Sequence, residues 1–186
     1  AGGALMAWWD GDGAARVLAR DGDAILLERA ENQSSLTGLT QTGHDDLASR
    51  IICAAVAALH APRTKPLPEL VPLPRLFDGL ERAASAHGGI LVQSAATARV
   101  LLAAPKDVVA LHGDIHHGNI LDFGARGWLA IDPKGLVGER GFDYANIFCN
   151  PDHETATAPG RFTRRVKVVA DAARLEYVRL TQWGPG

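Results

Sequence analysis

Cysteine is scarce: Cys53 and Cys149 are the only two in 186 residues. They lie far apart in apolar surroundings, and such a pair builds no disulfide framework. Both are therefore expected as buried thiols of a chain kept in a reducing compartment. A dominant charge is missing as well. The formal net charge is −2, and the basic residues, mostly arginine, are scattered. Only 164–167 (Arg-Arg-Val-Lys) form a dense group, expected on the solvated side of a helix. Without a basic face there is no electrostatic basis for a nucleic-acid partner. No apolar run approaches the ~18–20 residues of a membrane span, and residues 1–20 lack the pattern of a secretory signal. The expected location is cytoplasmic, with no membrane contact. Internal repeats and low-complexity tracts are absent too, which excludes solenoids and repetitive arrays.

What is present has the composition of a globular protein, 47% hydrophobic and 22% charged, in a chain long enough for one good core or one core plus a small appendage. Residues 1–7 lead quickly into strand-like sequence. Residues 8–13 (Trp-Trp-Asp-Gly-Asp-Gly) read as a tight turn, because Asp-Gly pairs supply the positive φ of hairpins. Residues 15–19 and 24–28 predict two strands joined by a turn at Asp21-Gly22-Asp23. Residues 31–43 are polar and have the composition of a linker. His44 to His60 predicts a helix: Asp45 and Asp46 suit its N-terminal end, and Leu47, Ile51, Ala54, Ala55, Ala58 and Leu59 recur at helical spacing. Pro62 stops it, and the Pro-rich stretch to Pro74 runs extended. Two more helices are expected over 76–87 and 90–103, then strand-sized runs at 108–111, 119–121 and 128–131, then helical sequence at 142–148 and 164–180. Both ends, a start at Ala1 without methionine and a close in 182–186 (Gln-Trp-Gly-Pro-Gly), are expected to be those of a piece of a longer protein.

The chemistry is concentrated between residues 112 and 135: His112-Gly113-Asp114-Ile115-His116-His117-Gly118-Asn119, then Ile131-Asp132-Pro133-Lys134-Gly135. Phosphoryl transfer from a nucleotide needs a carboxylate to orient and deprotonate the attacking hydroxyl. It also needs oxygen ligands to hold magnesium against the phosphates. Asp-x-x-x-x-Asn fixes a carboxylate and an amide at the two ends of one loop. A second carboxylate at the end of an adjacent strand, Asp132, completes a magnesium site, since Mg²⁺ takes one or two carboxylates plus phosphate oxygens.

This string resembles the aminoglycoside phosphotransferase superfamily, the counterpart of the His-Arg-Asp and Asp-Phe-Gly pair of protein kinases. It is most similar to the branch containing streptomycin 6-phosphotransferases and hydroxyurea kinases. Residues 138–145 (Gly-Glu-Arg-Gly-Phe-Asp-Tyr-Ala) and Asn150-Pro151 continue in that style, and 26–30 (Leu-Leu-Glu-Arg-Ala) is similar to the hinge between the lobes. The resemblance implies an α+β, protein-kinase-like fold, with 1–30 as a remnant of the small sheet lobe plus hinge and 31–186 as the helical C-terminal lobe. It implies ATP and Mg²⁺ as cofactors and a small-molecule acceptor, an aminoglycoside of streptomycin type or hydroxyurea. Asp114 becomes the catalytic base and Asn119 and Asp132 the metal ligands. The backbone of Glu28, Arg29 and Ala30 becomes the adenine contact, with the Glu28 side chain uninvolved. His112 orients the loop, and Asp143 ties the following helix to it.

Each residue also has a plainer reading. Asp114 can be a turn former before a glycine-containing loop, Asn119 a cap, and Asp132 the start of an Asp-Pro turn. His112, His116 and His117 match no familiar zinc spacing, and no nearby cysteine completes a set. Lys134 suits a surface salt bridge better than a phosphate contact. Asp78, Glu154 and Asp152 either receive a cationic acceptor or are ordinary solvated acids. The lysines, at 65, 106, 134 and 167, all follow the expected hinge, so none supplies the strand lysine that clamps phosphates in kinases. The expectation is that this lysine and the phosphate loop lie upstream, outside the chain. The rival reading is a catalytically inactive kinase-like fragment or relative that binds without turnover.

Overall fold

In the computed structural model the described residues are 1–31 and 34–184; the 32–33 part of the expected linker and the last two residues lie outside them. The chain is about half helical with small sheets, an α+β arrangement. Helices α1 (Gly2–Trp9), α3 (Asp45–Leu59) and α8 (Arg161–Ala173) converge on one core. No helix among the described residues is long and apolar enough to cross a membrane.

The opening residues are helical rather than strand-like. Leu5, Met6 and Trp9 fall on one side of α1 and are buried, and the Trp9 indole N–H donates to the Leu59 carbonyl at 3.1 Å. Burial of these three large side chains outweighs the two poor helix formers at the start. The helix ends where Asp10 turns left-handed at φ 53°, and the expected turn follows. Strands β1 (Val17–Asp21) and β2 (Ala24–Leu27) form the predicted antiparallel hairpin.

The polar stretch after the hairpin contains a short helix, α2 (Leu36–Gln41), capped by Ser35 Oγ. Helix α3 lies where the periodicity predicts, but its buried face is rotated: Ala48, Ser49, Ile52, Cys53, Ala55, Val56 and Leu59 are buried, while Leu47 and Ala54 of the expected stripe are exposed. The proline stretch is not extended to its end: after β3 (Val71–Pro72) a helical turn, α4 (Leu73–Leu76), takes in Pro74 in its first turn, where proline is tolerated, and leads into α5 (Asp78–His87) and α6 (Ile90–Ala103).

Strand β4 (Val108–Leu111) pairs antiparallel with β7 (Leu136–Glu139), which also pairs parallel with β3. Between β4 and β7 sits a second hairpin, β5 (Ile120–Asp122) with β6 (Trp128–Ala130). The loop 112–119 is thus bracketed by β4 and β5, and Asp132 follows β6 by two residues. The expected helix at 142–148 is two successive 3₁₀ turns, Arg140–Tyr144 and Asn146–Cys149. A short α7 (His153–Ala156) precedes α8, and the long C-terminal helix is broken: α8 stops at left-handed Arg174 and α9 (Tyr177–Trp183) restarts.

Two expectations about side chains are corrected. Cys53 is buried, but Cys149 is exposed, because the 3₁₀ turn carrying it faces a cavity rather than the core. Arg164 and Lys167 are solvated, whereas Arg165 is 1% exposed. Its guanidinium donates to Ser49 Oγ, the Ile147 carbonyl, the Asn150 carbonyl and His117 Nε2 at 2.7–3.0 Å. With that many acceptors a buried arginine is satisfied, and it binds α3, α8 and the 112–119 loop together.

Candidate active site

The loop begins at His112, whose ring is wedged against Trp9, stacked with centroids 6.3 Å apart. His112 Nε2–H donates to the Ile131 carbonyl at 2.8 Å, and Nδ1 accepts from the Asp114 N–H at 3.2 Å. One ring nitrogen must donate and the other accept, so the imidazole is neutral with its proton on Nε2. Burial holds its pKa below the usual 6.5, against the opposing pull of the Asp143, Asp114 and Asp132 carboxylates. Asp143, 1% exposed, accepts from the His112 N–H at 2.9 Å, the Gly113 N–H at 2.7 Å and His60 Nε2 at 2.8 Å. Gly113 sits at φ 83°, and a Cβ there would stand 2.7 Å from Leu136 Cδ1, so only glycine passes the loop between Asp143 and β7.

Asp114 is half-buried, and its two carboxylate oxygens have different partners. Oδ1 accepts from the Asn146 amide at 2.9 Å, while Oδ2 lies 3.2 Å from Lys134 Nζ. Lys134 is 53% exposed, so this ion pair is of the weak, solvent-screened kind, about 0–1 kcal/mol. Asn119 is buried and donates from Nδ2 to the Asp114 carbonyl at 2.9 Å, which leaves its Oδ1 as the acceptor end of the amide. The Asn119 carbonyl accepts from the Ile131 N–H at 3.0 Å, and the His112 carbonyl accepts from the Lys134 N–H at 2.8 Å. Asp132 lies between these last two anchors. Its backbone is left-handed at φ 57° and its side chain exposed. No hydrogen bond or ion pair among the described residues engages its carboxylate. Aspartate adopts this region more readily than most residues, and Asp10, Asp107 and Arg174 do so here as well.

The whole of this geometry falls inside a recognisable family. A profile described as aminoglycoside/hydroxyurea antibiotic resistance kinase matches residues 1–184. The chain belongs to that kinase family. It is 51% identical to a streptomycin 3''-kinase of Klebsiella pneumoniae, over 98% of the chain and 70% of that relative. It is 29% identical to a streptomycin 6-kinase of Streptomyces griseus, over 94% of the chain and 60% of that relative. Among solved structures, aminoglycoside phosphotransferase APH(3'')-Id from Streptomyces rimosus, in complex with ADP and streptomycin, superposes with a TM-score of 0.64 at 19% identity. That match covers 98% of this chain and 80% of the other. The kinase-like α+β fold is therefore that of an enzyme class that transfers phosphoryl groups to hydroxyls.

In this kinase-family chain Asp114 and Lys134 border a cavity of about 340 Å³, whose other walls include Phe142, Asn146, Cys149 and Trp183. That size suits a small-molecule site. Asn119 and Asp132 do not line it. A cavity of about 440 Å³ between α5, α6 and α9 shares only Trp183 and Gly184 with it and lies away from the loop. Asp78, Asp152 and Glu154 line neither. Asp152 is occupied as a cap, accepting from the Thr155 N–H at 2.8 Å and from Thr155 Oγ1 at 2.9 Å.

At the expected hinge, the Glu28 N–H is committed to the Arg16 carbonyl at 3.0 Å. No backbone bond among the described residues uses the N–H of Arg29 or Ala30. The Glu28 carboxylate is engaged structurally: it accepts from the Arg16 N–H at 2.6 Å and pairs with Arg126 in the β5–β6 turn. The histidines make no zinc set. His116 Nδ1 accepts from the Gly118 N–H, His117 is bound by Arg165, and no cluster of three metal-binding side chains occurs among the described residues. Sequence reasoning missed Asn146, His60 and Arg165 as partners of the loop. None lies in a motif, and each reaches the loop through tertiary folding alone.

Proposed function

We propose that the chain carries the catalytic loop, metal ligands and acceptor cavity of an ATP-dependent phosphotransferase acting on a hydroxyl of a streptomycin-type aminoglycoside. The observation that carries this reading is the loop itself: Asp114 borders the cavity, its carbonyl accepts from the Asn119 amide at 2.9 Å, and the Asn119 carbonyl accepts from the N–H of Ile131, the residue before Asp132. A base must touch the acceptor, and metal ligands must touch the nucleotide.

Asp114 Oδ2 is the oxygen that receives the acceptor proton. As the acceptor oxygen bonds to the γ-phosphorus, the bond from that phosphorus to the bridging oxygen breaks, and its electrons leave with ADP. The donor set left for Mg²⁺, Asn119 Oδ1 and the Asp132 carboxylate, is all hard oxygen, which fits that ion. Held by these two side chains, Mg²⁺ would offset the charge that develops during the transfer. Residues 1–30 supply the hinge side, where the N–H groups of Arg29 and Ala30 and the carbonyl of Glu28 face adenine; residues 31–186 supply the rest. The acceptor class rests on the names of the relatives and on the cavity beside Asp114. The intact Asp114, Asn119 and Asp132 set favours turnover over a binding-only relative, which has no use for all three.

Steady-state kinetics with streptomycin, on protein expressed from the complete open reading frame, tests this. Asp114→Ala should lower kcat by roughly 10²–10⁴-fold while calorimetry shows Mg-ADP binding intact. Asp132→Ala should weaken Mg-nucleotide binding together with kcat, with partial recovery in excess magnesium. Near-normal kcat in Asp114→Ala removes the base assignment, and hydroxyurea outperforming streptomycin as acceptor replaces the substrate class.

A further inference from the structure

We propose that Asn146 is a positioning residue for the phosphotransfer base: it holds Oδ1 of Asp114, so that Oδ2 alone is presented to the acceptor hydroxyl. This rests on the reading of Asp114 as the base.

A carboxylate on a loop can rotate about its last bond, and either oxygen can then meet the acceptor. Asp114 has no such freedom. The Asn146 amide donates to Oδ1 at 2.9 Å, and a hydrogen bond to an ionised acceptor is among the stronger kinds. The orientation of the Asn146 amide is itself fixed. The Asn150 amide donates to the Asn146 carbonyl at 2.9 Å and reaches Asn146 Oδ1 at 3.4 Å. Turning the Asn146 amide over would set its oxygen against the Asp114 carboxylate and its NH₂ against the Asn150 NH₂, two repulsions in place of two attractions. Asn150 is held in turn, since its carbonyl accepts from Arg161 at 3.0 Å and from buried Arg165 at 2.8 Å. A continuous relay thus runs from α8 through Asn150 and Asn146 to one oxygen of the base. Asn146 and Asp114 also share the wall of the 340 Å³ cavity. Among the described residues the other oxygen meets only the exposed Lys134 ammonium, a partner that an incoming hydroxyl can displace.

The chain of contacts predicts a split between turnover and binding. Asn146→Leu removes the donor at similar volume, so kcat should fall by about 10–100-fold, the scale of one lost charge-assisted hydrogen bond and of a base out of line. The affinity for Mg-ADP should stay within about twofold, and the KM for streptomycin should change less than kcat, because Asn146 is one wall residue among several of the acceptor cavity. Asn146→Gln, which keeps the donor, should recover part of kcat. The deciding measurement is a double-mutant cycle: in an Asp114→Ala background, Asn146→Leu should cost no further activity, since there is no carboxylate left to orient. An equal loss of kcat in both backgrounds would mean that Asn146 only supports the fold and would overturn the proposal, as would an unchanged kcat in Asn146→Leu alone. If Asn146→Leu does not fold, the isosteric Asn146→Asp, which sets a second carboxylate against Oδ1, decides by the same cycle. A separate outcome, full activity in Asp114→Ala by itself, would remove the base assignment and is read from a different protein.

Discussion

Replacing Asp143 by alanine should destabilise the protein far more than replacing any acid on its surface. The carboxylate is buried and accepts three hydrogen bonds, from the His112 N–H, the Gly113 N–H and His60 Nε2. Removing it strands two backbone donors in the interior, and each unsatisfied donor costs about 1–3 kcal/mol. Two give about 2–6 kcal/mol. Loss of the third contact and partial relief by an entering water bring the expected net to about 3–5 kcal/mol, the usual range for breaking one side of a buried charged cluster. For a domain stable by about 5–15 kcal/mol this is a large fraction. Asp143→Asn keeps one acceptor oxygen and should lose roughly half as much. Urea unfolding is the assay: the midpoint should fall in the order parent, Asn, Ala, with an unchanged m-value. An Asp143→Ala protein within about 1 kcal/mol of the parent would show that water or a backbone shift satisfies both donors. The tether assigned to Asp143 would then be wrong.

Two further outcomes follow from other buried groups. Burial beside the Arg165 guanidinium pulls the His117 pKa down to about 3 from 6.5, so the folded state stays neutral where the unfolded chain takes up a proton. Stability should therefore be intact above pH 6.5 and fall as pH drops toward 3, at up to ~1.4 kcal/mol per pH unit from this residue. His112, also held low by burial, acts in the same direction; a slope that His117→Gln leaves unaltered would contradict the assignment. Burial pushes the Cys53 thiol up to about 12 while Cys149 is exposed on the cavity wall, so a thiol reagent should label one cysteine in the native protein. Saturating streptomycin should slow that labelling, and an unchanged rate would place the acceptor elsewhere.

The elements legible in the sequence are those whose signal is local. Helix α3 shows its length and its acidic first turn within its own fifteen residues, although so many of them are apolar that the periodicity alone does not pick out the buried face. The β1–β2 hairpin shows Gly22 between two short apolar runs, and the His-Gly-Asp and Ile-Asp strings carry their chemistry in residue type and spacing. What escaped depends on partners distant in the chain. The helical state of α1 is secured by Trp9 reaching Leu59, 50 residues away. Strand β7 carries Gly138 at its centre, a residue that weakens a strand on its own, and it exists because β3 and β4 flank it. The break between α8 and α9 falls at Arg174, whose left-handed turn has no glycine to announce it.

The same divide runs through the site. In the proposed mechanism Asp114, Asn119 and Asp132 serve as carboxylate, amide and carboxylate for chemical reasons, so a spacing pattern betrays them. Asn146, Asn150 and Arg165 need only present a donor at the right place, and many residue types at many positions can do that. Their contribution becomes visible once the fold delivers them. Arg165 illustrates the point: in sequence it is one of three bases in a row of four. In the folded chain its guanidinium joins Ser49 on α3, Ile147 and Asn150 of the 3₁₀ segment, and His117 of the loop. Burying that charge is tolerable because every direction of its fork meets an acceptor, and the return is rigidity. The loop that carries Asp114 and the relay that holds its carboxylate are fastened to the same side chain, so the proposed base and the group proposed to aim it keep a fixed relation to each other.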